Sequence, residues 1–272
     1  MTTHHLDTLR RDGYVLMPGV LGAAALPTIK TAAKHILDAH GSDTMRPSDL
    51  LADPDLTSAL FSTRVRTTIS ALFGPSQTLY LYPNFTIRNN LYINWHTDDF
   101  FLDAPLEKAS ALPSLFMFNV YLQGNSLDAG GGLDVQSGTH RLPKSERQAR
   151  AQADGPAPEH FVASGAGDLI VFDYRVVHRG TIPAGTVRPD RMALQWTMST
   201  SDDVAAVYLA YLQIRASRKL HISDFTRHRA QEFFDDLPHI RAPALIERFS
   251  PAFFDSQLRF ADMATYLREE PR

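Results

Sequence analysis

The sequence predicts an α+β chain: a mainly β core of sandwich or jelly-roll type with helices flanking it at both ends. Three observations predict it. From Gln77 to about Thr200 the 272-residue chain runs as short β-prone stretches broken by Gly, Pro, Asn and Asp. Apolar residues at helical spacing precede this region and return after Asp202. No linker, internal repeat or low-complexity tract divides the chain, so one domain is expected over residues 1–272: helical support (1–76), β core (77–200) and a helical C-terminal extension (201–272).

Each element follows from local chemistry. Thr3 to Arg11 reads as a short helix stopped by Asp12-Gly13, followed by a strand from Tyr14 to Met17 that ends at Pro18-Gly19. Leu26 to His40 carries Ile29, Ala32, Ile36 and Leu37 on one helical face. A further helix is expected from Pro54 to Leu72, with Asp53 as its N-cap, Pro54 as its first residue and Gly74-Pro75-Ser76 as its stop. Strands are expected at Thr78–Pro83, Thr86–Trp95, Ser114–Gln123, Gly132–Gln136, Asp168–Asp173 and Arg191–Ser199. Pro143 to His160 reads as a polar loop insertion with at most one helical turn, and Phe225–Phe234 and Pro243–Phe249 as amphipathic helices.

Composition excludes several functions. A net charge of −3 offers no basic face for nucleic acid or an acidic membrane. The absence of cysteine removes disulfides, Cys-zinc sites, iron–sulfur clusters and thiol nucleophiles, and it fits a reducing compartment. No signal-peptide pattern and no membrane-length apolar run is visible, so a soluble cytoplasmic protein is expected, a monomer or homodimer whose partner is a small molecule.

The chemistry concentrates in a few places. In Trp95-His96-Thr97-Asp98, residues i and i+2 of an extended segment point the same way, so His96 and Asp98 can offer an imidazole nitrogen and a carboxylate to one ion. A buried strand then delivers Val177-His178-Arg179-Gly180. Two histidines and one carboxylate with open positions opposite are the ligand set of non-haem Fe(II) oxygenases. Arg188 and Arg191 follow the second histidine, and Arg191 opens the last core strand. A guanidinium inside a barrel needs a carboxylate, and its planar fork suits a dicarboxylate co-substrate reaching across from the metal. Arg188 precedes a proline and reads as loop, so Arg191 is preferred.

These residues lie in a wider resemblance. The order His96-x-Asp98, His178 and a following Arg resembles the phytanoyl-CoA dioxygenase family of Fe(II)- and 2-oxoglutarate-dependent oxygenases. The stretch Leu9-Arg10-Arg11-Asp12-Gly13-Tyr14-Val15-Leu16-Met17-Pro18-Gly19-Val20-Leu21 is similar to that family's opening helix and strand. Val120-Tyr121-Leu122-Gln123, Gly130-Gly131-Gly132-Leu133 and Ser137-Gly138-Thr139-His140-Arg141 resemble its central strand, Gly turn and Gly-Ser-His loop. The resemblance spans roughly residues 5–200 and leaves the helical tail unmatched.

The resemblance implies a double-stranded β-helix (a cupin-like jelly roll), with Fe(II) held by His96, Asp98 and His178. It implies 2-oxoglutarate and O2 as co-substrates, with succinate and CO2 released and hydroxylation of a small metabolite as the outcome; the near-neutral charge singles out no anionic substrate, and a modestly apolar metabolite of secondary metabolism is expected. The far carboxylate of 2-oxoglutarate would pair with Arg191 or Arg188, and Thr181 is the nearest hydroxyl after the second histidine. Asn119 alternates with Tyr121 on one face of the central strand and is either a further polar contact for 2-oxoglutarate or a hydrogen-bonded core amide. Phe100 and Phe101 could wall the substrate pocket or be plain core, and Arg179 could meet a carboxylate or be a surface charge. His140, Asp99 and an Asp173–Arg175 pair read as structural. Two other classes fit the same residues: an isomerase or hydrolase using another divalent metal, and a ligand-binding protein without catalysis. The first needs no dicarboxylate anchor, and the second would not need an intact triad.

Overall fold

Apolar and polar side chains alternate along the longest strand, Met192–Ser199, and its two faces organise the molecule. The computed structural model describes residues 2–90, 92–99, 101, 115–152, 160–183, 190–217, 230–249, 253–255 and 257–266. The expected strand start at Ser114 and helix start at Phe225 lie outside them.

The strands in chain order are β1 (Tyr14–Met17), β2 (Leu79–Leu81), β3 (Thr86–Asn89), β4 (Leu115–Tyr121), β5 (Leu133–Gln136), β6 (His160–Val162), β7 (Leu169–Asp173), β8 (Val177–Gly180), β9 (Met192–Ser199) and β10 (Leu258–Phe260). The larger sheet runs β1-β7-β4-β9-β2-β10, with β3 also on β9; the smaller runs β6-β5-β8. All pairings are antiparallel except β10 with β2. The two sheets face each other as a jelly roll, and Tyr121, Ile170, Phe172 and Ala193 of the larger pack with Leu133, Val135 and Val162 of the smaller.

Register fixes which residues look inward. Asn119 lies opposite Gln195, Tyr121 opposite Ala193 and Met117 opposite Thr197, while on the other side of β9 Arg88 lies opposite Ala193. Directly opposed residues share a face, so Arg88, Met117, Asn119, Tyr121 and Gln195 look into the roll. The other face presents Phe118, Val120, Leu194, Trp196 and Met198 to the N-terminal helices. Those helices are α1 (Thr2–Asp12), α2 (Leu26–His40), α3 (Pro47–Ala52), α4 (Pro54–Leu60) and α5 (Thr63–Phe73). They close the core with Leu9, Ile29, Leu37, Leu60, Val65 and Ile69.

Several expectations are corrected. The helix expected over Pro54–Leu72 is two: Ser62 adopts an extended conformation and accepts from the Val65 N–H, starting α5 afresh. Asp53 does cap α4, accepting from Asp55 N and Leu56 N. The strand expected from Thr86 to Trp95 stops at Asn89, because Asn90 turns into the left-handed region at φ 53°. The expected loop insertion forms α6 (Lys144–Gln152), and α3, β6 and β10 were not anticipated. In the tail, α7 (Asp202–Ala216), α8 (Ala230–Asp236), α9 (Ala242–Arg248) and α10 (Met263–Tyr266) accompany β10. No helix among the described residues is long and apolar enough to cross a membrane.

Candidate metal centre and its cavity

His96 belongs to no strand. It forms a single bridge with His178 on β8, each N–H donating to the other's carbonyl at 2.9 and 3.0 Å. The N–H of Asp98 donates to the Tyr174 carbonyl at 2.9 Å. Backbone hydrogen bonds from two distant parts of the chain therefore bring the triad together. The ring centroids of His96 and His178 are 4.3 Å apart. His96 Nε2 stands 3.5 Å from Asp98 Oδ1, and His178 Nε2 stands 3.6 Å from Asp98 Oδ2.

The donor set fits a divalent ion. His96 Nδ1 lies 2.6 Å from the Asn94 carbonyl, and His178 Nδ1 lies 3.0 Å from that of Val176. A ring donating from Nδ1 keeps its Nε2 lone pair for a metal. The three ligand atoms lie within 4.8 Å of one another. Ligands about 2.1 Å from one ion at ordinary bond angles are about 3.0–3.4 Å apart, so modest closure completes coordination. Burial pushes the His178 imidazole down to about 4, with the neighbouring His96 acting in the same direction, so His178 is neutral and able to ligate at neutral pH. Burial works to raise the Asp98 carboxyl, but the hydrogen bond to His96, the two imidazoles once protonated at low pH and the Arg88 charge outweigh it and hold the carboxyl below its ordinary range.

A cavity of about 530 Å³, open at its mouth, joins the triad to Arg191, Asn119, Tyr121, Arg88 and Gln195. Ile93, Met117, Leu133, Phe172 and Gly180 complete its wall. Arg191 immediately precedes β9 and is 6% exposed. Its Nε donates to the Gly131 carbonyl at 2.8 Å, and its Nη2 donates to the Tyr121 hydroxyl at 3.1 Å. The guanidinium also lies 5.3 Å from the ring centres of Tyr92 and Tyr121. Gly131 holds φ at 83°, a conformation that favours glycine, and this turn presents its carbonyl to Arg191. A Cβ on Gly180 would meet Arg191 Nη2 at 3.4 Å, an ordinary contact, so β8 passes directly beside the guanidinium.

His96, Asp98, His178, Asn119 and Arg191, all expected from sequence, line this one cavity. Other expected contacts stand elsewhere. The Thr181 hydroxyl donates to Asp134 Oδ1 at 2.9 Å, and Arg179 Nε donates to Asp134 Oδ2 at 2.8 Å. The buried Asp134 thus engages both, and Arg179 also covers the Trp95 ring at 4.7 Å, so it is not a simple surface charge. Phe101 stacks on Tyr211 of α7 at 4.4 Å and is absent from the cavity lining. Arg188 and Phe100 lie outside the described residues. The structural readings of His140, Asp99 and Asp173 match their surroundings. His140 Nε2 lies 3.0 Å from the Arg10 carbonyl, Asp99 pairs with Arg147, and Asp173 pairs with Arg175 at 2.8 Å.

Arg88 and Gln195 were missed. Their signal was the period-two pattern of β3 and β9, but only the register between those strands shows that both share the face of Asn119. Also missed was a hydroxyl network: Asn84 Nδ2 donates to Thr197 Oγ1 and to the Tyr208 hydroxyl, each at 2.7 Å, and the Tyr174 hydroxyl lies 2.6 Å from Thr197 Oγ1. It ties α7 to the roll beside the Thr197 end of β9.

Neither the protein-family models nor the curated proteins compared with this chain give a match. Solved structures do match. The non-haem α-ketoglutarate-dependent carbocyclase SnoK from nogalamycin biosynthesis is 20% identical, with 74% of this chain and 85% of that chain covered and a TM-score of 0.57. The α-ketoglutarate-dependent epimerase SnoN from nogalamycin biosynthesis is 19% identical, with 73% and 80% covered and a TM-score of 0.55. HygX from Streptomyces hygroscopicus, crystallised with nickel and 2-oxoglutarate, is 13% identical, with 74% and 88% covered and a TM-score of 0.55. At these identities the likeness establishes the fold: this chain shares the jelly-roll core of those enzymes.

Proposed function

We propose that residues 1–272 form one oxygenase domain, dependent on non-haem Fe(II) and 2-oxoglutarate, that oxidises a small organic metabolite. The carrying observation is that one cavity holds both the His96–Asp98–His178 ligand set and the Arg191 guanidinium. The order of motifs supports placing the chain in the phytanoyl-CoA dioxygenase family. The lack of cysteine fits a cytoplasmic enzyme, and a monomer or homodimer is proposed with it.

His96, Asp98 and His178 would hold the iron, and Arg191 with the Tyr121 hydroxyl would hold the far carboxylate of 2-oxoglutarate, with Asn119 beside it. Bound together, they supply the oxidising power drawn from O2 as 2-oxoglutarate becomes succinate and CO2. The chain's own contributions are distinct. The Asn94 and Val176 carbonyls orient the two imidazoles, Arg191 sets the end of the cavity by charge, and Phe172, Met117 and Ile93 restrict water. Arg88 and Gln195 are left to orient the organic substrate.

Hydroxylation is the first reading of the outcome. The neighbours described as an epimerase and a carbocyclase favour a second, in which the same site inverts a centre or closes a ring. Product mass separates them: hydroxylation adds one oxygen atom, epimerisation leaves the mass unchanged, and ring closure removes two hydrogens. The test of the site is anaerobic reconstitution with Fe(II) followed by titration with 2-oxoglutarate. A visible charge-transfer band is expected, absent in His96→Ala and reached only at higher 2-oxoglutarate in Arg191→Ala. Iron bound with no band would overturn the 2-oxoglutarate reading and return the site to a metalloenzyme of another class.

A further inference from the structure

The helix α6 is polar and lies at the surface, and Arg147 is its one buried residue. That side chain runs inward to Asp99, Nη2 to Oδ2 at 2.5 Å, and both side chains are 1% exposed. Its other arm donates to the Leu142 carbonyl just before the same helix. Asp99 is the residue next to Asp98, and α6 also packs on β8, which carries His178. One helix therefore touches both segments that carry the metal ligands.

Stability does not account for such a pair. Removing an ion pair this completely from water costs much of what its attraction returns, and apolar residues of similar volume are often as stable or more so. What the pair provides is position. The Asp98 backbone is tied on one side by its N–H to the Tyr174 carbonyl. The Asp99 side chain ties the same short segment to α6 from the other. We propose that Arg147 is a positioning residue that, through Asp99, aims the Asp98 carboxylate at the Nε2 atoms of His96 and His178, and so sets the affinity of the site for a divalent metal. This rests on the metal half of the proposed function.

The experiment titrates the full chain with Co(II) alone by calorimetry and measures thermal melting of the same samples. The variants are the double replacement Asp99→Leu with Arg147→Met, the conservative Arg147→Lys, and His96→Ala. The double variant is expected to melt cooperatively at or above the wild-type temperature and to bind Co(II) about 10–100-fold more weakly, the range found for groups that orient metal ligands. Arg147→Lys, which keeps the charge but not the fork, is expected between the two. A folded double variant with wild-type Co(II) affinity overturns the proposal. If the double variant does not fold, Arg147→Lys at wild-type affinity overturns it equally. Wild-type protein that binds Co(II) no better than His96→Ala is a different failure, because it removes the metal site itself and the positioning role with it.

Discussion

The two faces of β9 are buried almost alike and do different things. Met192, Leu194, Trp196 and Met198 on one face are at most 1% exposed, and so are Ala193, Thr197 and Ser199 on the other. The first set packs into the apolar core, with Trp196 stacked on Phe118 at 5.3 Å, and Trp196 and Met198 also border a second pocket walled mainly by Leu60, Val65, Ile69 and Phe253. The second set meets partners brought from elsewhere: Thr197 lies in the Asn84–Tyr174–Tyr208 network, and Ser199 is 2.5 Å from the Tyr82 hydroxyl. Between them Gln195 lines the cavity with a carbonyl oxygen that has no hydrogen-bond partner. Burial alone does not separate scaffold from site. The scaffold face turns apolar side chains to the helices, whereas the site face keeps polar groups directed into the cavity of the triad.

The largest expected effect breaks the scaffold face. Trp196→Ala removes a fully buried indole and should cost about 3–5 kcal/mol of stability, read by chemical denaturation. Co(II) binding by the folded fraction should persist, since Trp196 points away from the triad. Loss of metal binding in protein that is still folded would show that the two faces are not separable.

A smaller change of opposite sign sharpens the contrast. Gln195→Leu places an apolar side chain where a buried carbonyl lacks a partner, and it should leave the free protein unchanged or stabilise it by up to about 1 kcal/mol. Turnover of the organic substrate should suffer while the Fe(II)·2-oxoglutarate band remains. A loss of stability as large as that of Trp196→Ala would place Gln195 in the scaffold.

Smaller again is the end of the site face. Burial pushes the Tyr208 phenol up to about 12, so it stays protonated in the network at neutral pH. Tyr208→Phe removes one hydroxyl from that network and should cost about 1 kcal/mol. The loss should show as faster hydrogen exchange in α7 relative to β9. Unchanged exchange would mean that packing alone holds the helix.

The same contrast explains what could be read without a structure. The scaffold face was legible because alternation and helical spacing are local: β1, α2 and the Asp53 cap stand where residue type alone puts them. His96, Asp98, His178 and Arg191 were legible because their types and order are unusual together. Arg88, Gln195 and the Tyr208 network were not, because their meaning lies in register between strands and in a tail helix returning to the roll. The helix expected over Pro54–Leu72 failed at a cap: Ser62 competes with helix continuation by bonding the Val65 N–H, and periodicity across the break hid it. The hydrogen bond from Thr181 to Asp134 was not legible either, because Asp134 comes from β5, 47 residues earlier in the chain.

The mildest test takes the contrast to a polar side chain buried in packing, away from both faces of β9. His140 is 3% exposed, and its ring faces the Arg10 carbonyl at the end of α1, with Asp173, Arg175 and Arg141 the charged groups nearby. Burial pushes the imidazole below 6.5, with Asp173 opposing. The unfolded chain takes up a proton near pH 6.5, and the folded chain does so only at lower pH. Between those values the unfolded state binds more protons, so stability falls as pH drops below 6.5, by at most about 1.4 kcal/mol per unit. His140→Gln keeps a donor for the Arg10 carbonyl and removes the titration. Melting followed from about pH 7.5 to 5.5 should therefore fall more steeply in wild type than in the variant. Parallel curves would mean that His140 takes up its proton equally in both states, and that burial in this packed region does not select the neutral imidazole.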